Sequence, residues 1–236
     1  MERHRPLDAI GVRATTDWRR AESGLRYRIA GTGAVVIELE SGGVVIAESG
    51  RLVYRRGEVD WSRARGGRGF VREWLNRAQR RAAGMEARLS RYEGPGEVGF
   101  APARPGEVSA VELRPRGAGV VCQAESLVAY EAGIQADVAL TRRIRETGSR
   151  TTLAMIRLTG EGVAFLCAHG AAMPVELKMG QAVEAAWWAV AWYEATAEYR
   201  MLVTRGGGMS HDSRTPTAAI RGPGRIVLQG SGSRLP

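Results

Sequence analysis

Along most of the chain the apolar residues come in short runs, some alternating with polar residues and some unbroken, and Gly or Pro closes nearly every run. Leu25-Arg26-Tyr27-Arg28-Ile29 alternates. Val44-Val45-Ile46-Ala47, Gly119-Val120-Val121-Cys122, Val163-Ala164-Phe165-Leu166 and Arg225-Ile226-Val227-Leu228 are nearly continuous. Both patterns, over four to eight residues, predict short strands joined by tight turns. Gly31-Thr32-Gly33 reads as a hairpin turn into Ala34 to Leu39. Many short strands between tight turns predict an all-β sandwich or barrel.

Three of these turns share a context. Gly94-Pro95-Gly96, Gly160-Glu161-Gly162 and Gly222-Pro223-Gly224 each follow an apolar-Glu-Leu tripeptide: Ile37-Glu38-Leu39, Val111-Glu112-Leu113 and Val175-Glu176-Leu177. Between tripeptide and turn lies a small-aromatic step, Val53-Tyr54, Ala129-Tyr130 and Ala191-Trp192. From Leu to aromatic the separations are 15, 17 and 15 residues, and from aromatic to the first turn glycine they are 40, 30 and 30. Self-similarity at a fixed period sets the fold. The spacing therefore predicts three copies of one β unit, with about ten extra residues in the first. Units of that size that share a pattern bury their faces against one another, which predicts one compact sandwich.

Two segments depart from this pattern. Gln181 to Met201 is rich in Ala, Glu and Trp and suits a helix by propensity. The register of the copies instead predicts a strand with Trp188, Val190 and Trp192 on one face. The extra residues of the first copy, Ser62 to Arg91, hold nine arginines and two glutamates. Phe70, Val71, Trp74, Leu75, Ala78 and Ala82 recur there at helical spacing, with Gly84 as a C-terminal cap. The prediction is one short basic helix inserted in the first repeat. The predicted organisation is a polar lead-in over 1–24, a single domain over 25–229 with repeats at about 25–105, 106–171 and 172–229, and a frayed tail over 230–236. Gly206 to Ser213 reads as a mobile loop.

Composition sharpens this. The chain carries a net charge of +9, most of it in the insertion, and has just one lysine, Lys178. At 44% apolar it can form a core, and no run approaches the roughly 18 apolar residues of a membrane helix. The start, Met1-Glu2-Arg3-His4-Arg5-Pro6, lacks the apolar stretch of a signal peptide. Two cysteines give no disulfide framework and fit a reduced, cytoplasmic setting.

The order and wording of several segments resemble the altered-inheritance-of-mitochondria protein 24 family. They are Gly43 to Gly50 with Leu52-Val53-Tyr54, Gly94 to Pro102 with Pro105-Gly106, Leu158 to Gly162, and Gly222 to Gln229. The likeness runs from about Leu25 to Gln229. It implies a fold akin to the tryptophan RNA-binding attenuation protein: compact antiparallel β repeats in a short double-stranded β-helix-like body. It also implies a family largely without a known biochemical activity, whose mitochondrial members are linked to inner-membrane organisation. The fold does not bring RNA binding with it, because function resides in sites.

The residues themselves offer little catalytic chemistry. Cys122, Cys167, His169 and His211 are the soft metal ligands besides His4, and a lone Cys-x-His pair is a poor zinc signature, so buried structural cysteine is the preferred reading. Ser126 lacks a nucleophile elbow, and Gly206 to Gly208 lacks the Lys-Ser/Thr of a phosphate loop. No cofactor motif is present. The strongest functional signal is the arginine set Arg63, Arg65, Arg68, Arg72, Arg77, Arg80 and Arg81. On an amphipathic helix these suit an anionic membrane surface or nucleic-acid phosphates; on a covering helix they are a solvated face. Trp187, Trp188, Trp192 and Tyr193 read as core or subunit interface. The reading is a non-enzymatic β-repeat scaffold or binding protein that forms a homo-oligomer. The alternatives are a nucleic-acid (RNA) binding module and a small-ligand binder.

Overall fold

The computed structural model describes residues 17–31, 33–64, 89–146, 149–202 and 216–230. These residues are all-β, with no helix of seven or more residues among them. In chain order the first strands are β1 (Arg19–Arg20), β2 (Arg26–Ala30), β3 (Ala34–Leu39), β4 (Val44–Glu48), β5 (Leu52–Gly57), β6 (Asp60–Arg63), β7 (Leu89–Glu93) and β8 (Gly96–Phe100). Next come β9 (Gly106–Leu113), β10 (Val120–Gln123), β11 (Leu127–Glu131), β12 (Ile134–Glu146), β13 (Ser149–Gly160) and β14 (Gly162–His169). The last are β15 (Ala172–Leu177), β16 (Ala182–Ala186), β17 (Val190–Glu194), β18 (Glu198–Leu202), β19 (Thr217–Arg221) and β20 (Gly224–Gln229). Single 3-10 turns at Ser49–Arg51, Ala124–Ser126 and Trp187–Ala189 precede β5, β11 and β17.

The strands form four antiparallel sheets. Their orders are β1-β2-β3-β8-β5, β6-β7-β4-β11-β14-β9, β12-β13-β10-β17-β20-β15 and β16-β19-β18. Three apolar cores lie between successive sheets, so the sheets stack as layers. The first core joins Ile37, Val98 and Phe100 of the first sheet to Val45, Val163 and Phe165 of the second. The next joins Ala164 and Leu166 to Cys122, Leu158 and Trp192 of the third, and the last joins Tyr193 and Ile226 to Ala218 and Ile220 of the fourth. β14 shows why some runs are continuous. All eight of its residues are buried. Val163, Phe165 and Cys167 face one core while Ala164, Leu166 and Ala168 face the next. Each such large side chain contributes about 1.5–3 kcal/mol by leaving water.

The turns hold matching positions. Leu39 pairs with Gly96, Leu113 with Gly162, and Leu177 with Gly224. These three glycines have φ of 151°, 130° and 146°, a region that L side chains rarely adopt. A Cβ on Gly94 or Gly222 would sit 2.5 Å from Leu39 Cβ or 2.6 Å from Leu177 Cβ, so the close approach of strand to turn also demands glycine.

Two readings need correction. In place of a strand face carrying Trp188, Val190 and Trp192, Trp187–Ala189 is a 3-10 turn, and a bulge between Val190 and Trp192 turns them toward different cores. The segment is nevertheless strand and not helix, because burial of Trp187, Val190, Trp192 and Tyr193 overrides its helical propensity. The position of Tyr54 and Trp192, opposite Gly99 and Val227, is held in the middle of the chain by Ala129, opposite Phe165, and not by Tyr130. Within the expected lead-in, β1 pairs with β2. The core of the expected basic helix and the Gly206 to Ser213 loop lie outside the described residues.

Candidate functional site

The outer face of the first sheet carries rows of charged side chains. Arg26 pairs with Glu38, Glu38 with Glu97 and Glu97 with Arg56, which sets four charges in line across β2, β3, β8 and β5. The adjoining row is Arg28, Val36, Gly99 and Tyr54. Alternate residues of a strand share a face, so Arg26 and Arg28 are neighbours, as are Tyr54 and Arg56. Gly99 leaves room for the Tyr54 ring: a Cβ there would lie 2.4 Å from that ring. The phenol donates to Glu97 Oε1. Burial, then the hydrogen bond to Glu97, raise the Tyr54 pKa, so it remains a neutral donor.

Trp18, just before β1, lies over this surface. Its ring centre is 5.3 Å from the Arg26 guanidinium and 5.4 Å from that of Arg28, within cation–π range. Together these residues line a groove of about 560 Å³ with Arg56, Glu38 and Glu97 on its walls. Arg26 is 2.7 Å from Glu38, and Arg56 is 3.7 Å from Glu97. Arg28 has no ion pair among the described residues, and its Nε is buried without a hydrogen-bond partner. The groove therefore holds one more cation than anion. Its chemistry suits an anionic group flanked by an aromatic plane, with Arg28, which also meets the Tyr54 phenol, among the donors.

Of the arginines singled out from the sequence, Arg63 lies exposed in β6, at the edge of the second sheet and away from this groove. Arg65, Arg68, Arg72, Arg77, Arg80 and Arg81 lie outside the described residues. β6 and β7, which flank that segment, pair Arg63 with Ser90. Sequence reasoning missed Arg26, Arg28 and Arg56 as a group. The signal available was the Arg-Tyr-Arg alternation in β2 and the Arg55-Arg56 pair where β11 and β17 carry Tyr-Glu.

The soft residues sit elsewhere. Cys167 Sγ is 3.9 Å from His169 Nδ1 in β14, and both residues are buried. Burial pushes the Cys167 thiol up to about 11 and the Cys122 thiol up to about 12. It lowers the pKa of His169, which keeps the imidazole neutral. A thiol and a neutral ring beneath the surface lack the ionised nucleophile that Cys-His catalysis uses. Among the described residues no three His, Cys, Asp or Glu groups are placed to hold a metal ion. Nor is any described helix long and apolar enough to cross a membrane.

Comparison with known proteins adds two findings. The family profile described as mitochondrial biogenesis AIM24 matches residues 27–231. The crystal structure of protein SPYM3_0169 from Streptococcus pyogenes is similar to this chain at 20% identity and a TM-score of 0.67, covering 88% of this chain and 94% of that one. That likeness shows the fold alone. No curated protein sequence matches the chain.

Proposed function

The chain belongs to the AIM24 family, and from that premise we propose that it is a non-enzymatic scaffold. In this reading three copies of one six-stranded unit (β3–β8, β9–β14 and β15–β20) stack their sheets and present a cationic outer surface to an anionic partner. The matched pairings of Leu39, Leu113 and Leu177 with Gly96, Gly162 and Gly224 support the three-copy reading. The observation that carries the function is the groove over β2, β3, β8 and β5, where Arg26, Arg28 and Arg56 face two glutamates beside Trp18. The buried, uncharged state of Cys167 and His169 favours binding over turnover. The free cysteines suit a reducing compartment such as the cytoplasm.

The partner we favour is an anionic lipid surface. The arginines of the 65–81 segment, between β6 and β7 in the sequence, add positive charge that draws anions. RNA is the second reading, since the same positive charge attracts phosphates without regard to sequence. Flotation with vesicles of mixed phosphatidylserine and phosphatidylcholine, run beside titration with single-stranded RNA, separates the two. Vesicle binding that weakens with salt and with Arg28→Ala supports the proposal. Binding to RNA alone replaces the lipid reading, and binding to neither overturns it. Catalytic turnover abolished by His169→Ala in a folded protein overturns the non-enzymatic part.

A further inference from the structure

We infer that the groove on the first sheet takes a phosphate ester that also carries a primary ammonium and a net negative charge, as a phosphoserine headgroup does. The arginines hold its anionic groups, and Glu38 and Glu97 hold its ammonium. The inference rests on the anionic-lipid reading and deepens it by naming the headgroup chemistry. The centre of the charged row points to it. Glu38 in β3 and Glu97 in β8 lie directly opposite one another. Side chains so placed have Cβ atoms about 4.5–5.5 Å apart, and like charges there are unfavourable. A surface shaped only to attract anions has no use for two carboxylates side by side at its middle. A cation set between them removes the repulsion.

The neighbours leave both carboxylates with room to accept. Arg26 lies 2.7 Å from Glu38 Oε2, and the Tyr54 phenol donates to Glu97 Oε1. Arg56 stands 3.7 Å from Glu97 Oε2, beyond hydrogen-bond distance. Glu38 Oε1 has no hydrogen bond or ion pair among the described residues. A primary ammonium carries three donors and can reach one oxygen of each carboxylate at once, whereas a quaternary ammonium has none to give. The Glu97 side chain is 16% exposed, so water and salt screen its charge less than that of a fully exposed carboxylate.

Arginines stand on both sides of this pair. Arg26 and Arg28 lie in β2 on one side, and Arg56 lies in β5 on the other. The guanidinium of Arg28, which also meets the Tyr54 phenol, lies with that of Arg26 over Trp18. Guanidinium groups take phosphate and carboxylate oxygens by two parallel hydrogen bonds. Three arginines against two glutamates leave the groove with a single net positive charge. A phosphoserine headgroup complements that balance: its phosphate and carboxylate face arginines, its ammonium faces glutamates, and one negative charge remains. The groove, about 560 Å³, falls within the range of about 300–1,000 Å³ typical of small-molecule sites.

Flotation of the full chain tests this, using phosphatidylcholine vesicles with equal mole fractions of either phosphatidylserine or phosphatidylglycerol. The two additions give the membrane the same charge, and phosphatidylglycerol has no ammonium. The wild type should bind the phosphatidylserine vesicles about fivefold more tightly. Glu38→Gln should weaken that binding and strengthen binding to phosphatidylglycerol, because it removes a carboxylate that attracts an ammonium and repels a bare anion. A misfolded variant would lose both. Glu97→Gln repeats the test from the other carboxylate. Soluble O-phosphoserine should displace the chain from phosphatidylserine vesicles at lower concentration than inorganic phosphate does. Equal binding of the wild type to the two vesicles, or an unchanged preference in either variant with its urea midpoint intact, overturns the inference, and the anionic-lipid reading then stands on charge alone. Binding to neither vesicle overturns the lipid reading. Calorimetric binding of O-phosphoserine that Glu38→Gln abolishes would in that case assign the groove to a free aminophosphate, and no binding would overturn the inference as well.

Discussion

β17 and β5 both follow a 3-10 turn, and both pair with the strand that leaves a glycine turn, β20 and β8. β17 also has β10 on its other side and lies between two cores, whereas β5 has an open edge among the described residues. Their sequences differ in step with that. Val190-Ala191-Trp192-Tyr193 is buried, while Leu52-Val53-Tyr54-Arg55-Arg56 is exposed and ends in two arginines. The difference teaches that the place of a strand in the stack, more than its local pattern, decides what its side chains do. A strand covered on both faces needs apolar residues at every position, and one at an end of the stack is free to carry charge.

The sharpest way to break this comparison is to truncate the aromatic at the shared position. Trp192 is nearly buried between the second and third sheets. Trp192→Ala should cost about 3–5 kcal/mol, measured as a shift of the urea midpoint. Tyr54→Ala, in dilute protein, should cost no more than about 1 kcal/mol. Equal losses at the two positions would show that β5 is as deeply covered as β17.

Next in size is the turn between β4 and β5. Arg51 is 5% exposed, lies 2.6 Å from Glu48, and donates to the Glu125 carbonyl of the following 3-10 turn at 3.1 Å. It ties the exposed side of the comparison to the turn before β11. Arg51→Ala removes a buried cation from beside Glu48 and that carbonyl, and should cost about 3 kcal/mol. Arg51→Lys should recover only part of this, since an ammonium cannot serve both acceptors in the same planar geometry.

The same contrast explains what was legible beforehand. Strand character was readable wherever one or two cores impose it, as in the unbroken apolar run of β14, and the glycine turns were readable because a Cβ at Gly94 or Gly222 has no room. The placement of Tyr130 was not, because the position that Tyr54 and Trp192 occupy in β5 and β17 holds Ala129 in β11, and the aromatic follows one residue later. The face of Val190 and Trp192 was missed because a bulge between them shifts the register by one residue, and no local pattern marks it. The groove was hidden because Trp18, Arg28, Glu97 and Arg56 come together only through the order of the first sheet, which spans residues far apart in sequence. The arginine-rich segment was conspicuous by charge, yet charge alone does not say where a segment lies.

A smaller effect concerns pH. His169 ends β14, where burial lowers its pKa below the usual imidazole value of about 6.5. The unfolded chain binds a proton in the interval between that value and the lowered one, and the folded chain does not. Stability from this group is therefore complete above pH of about 6.5 and declines as pH falls through the interval. Urea midpoints taken at about pH 7.5 and 5.5 should fall with pH in the wild type and flatten in His169→Gln. An unchanged slope in that variant would place the titrating group elsewhere.

The smallest effect on stability is expected in the groove, and its size separates holding the fold from holding a partner. Arg26 is about two-fifths exposed, pairs with Glu38 at a similarly exposed position and lies over Trp18. Exposed ion pairs of this kind contribute about 0–1 kcal/mol, because water screens the attraction and the long side chains lose freedom in making it. Arg26→Ala should therefore move the urea midpoint little, and less still at high salt. The same substitution removes a cation from a groove that holds only one in excess, and it leaves Glu38 facing the solvent. Vesicle binding should consequently fall severalfold while stability stays within the error of the measurement. Stability lost with binding intact would mean that the charged rows on the first sheet serve the fold, and the search for the anionic contact would move to the arginines beyond β6.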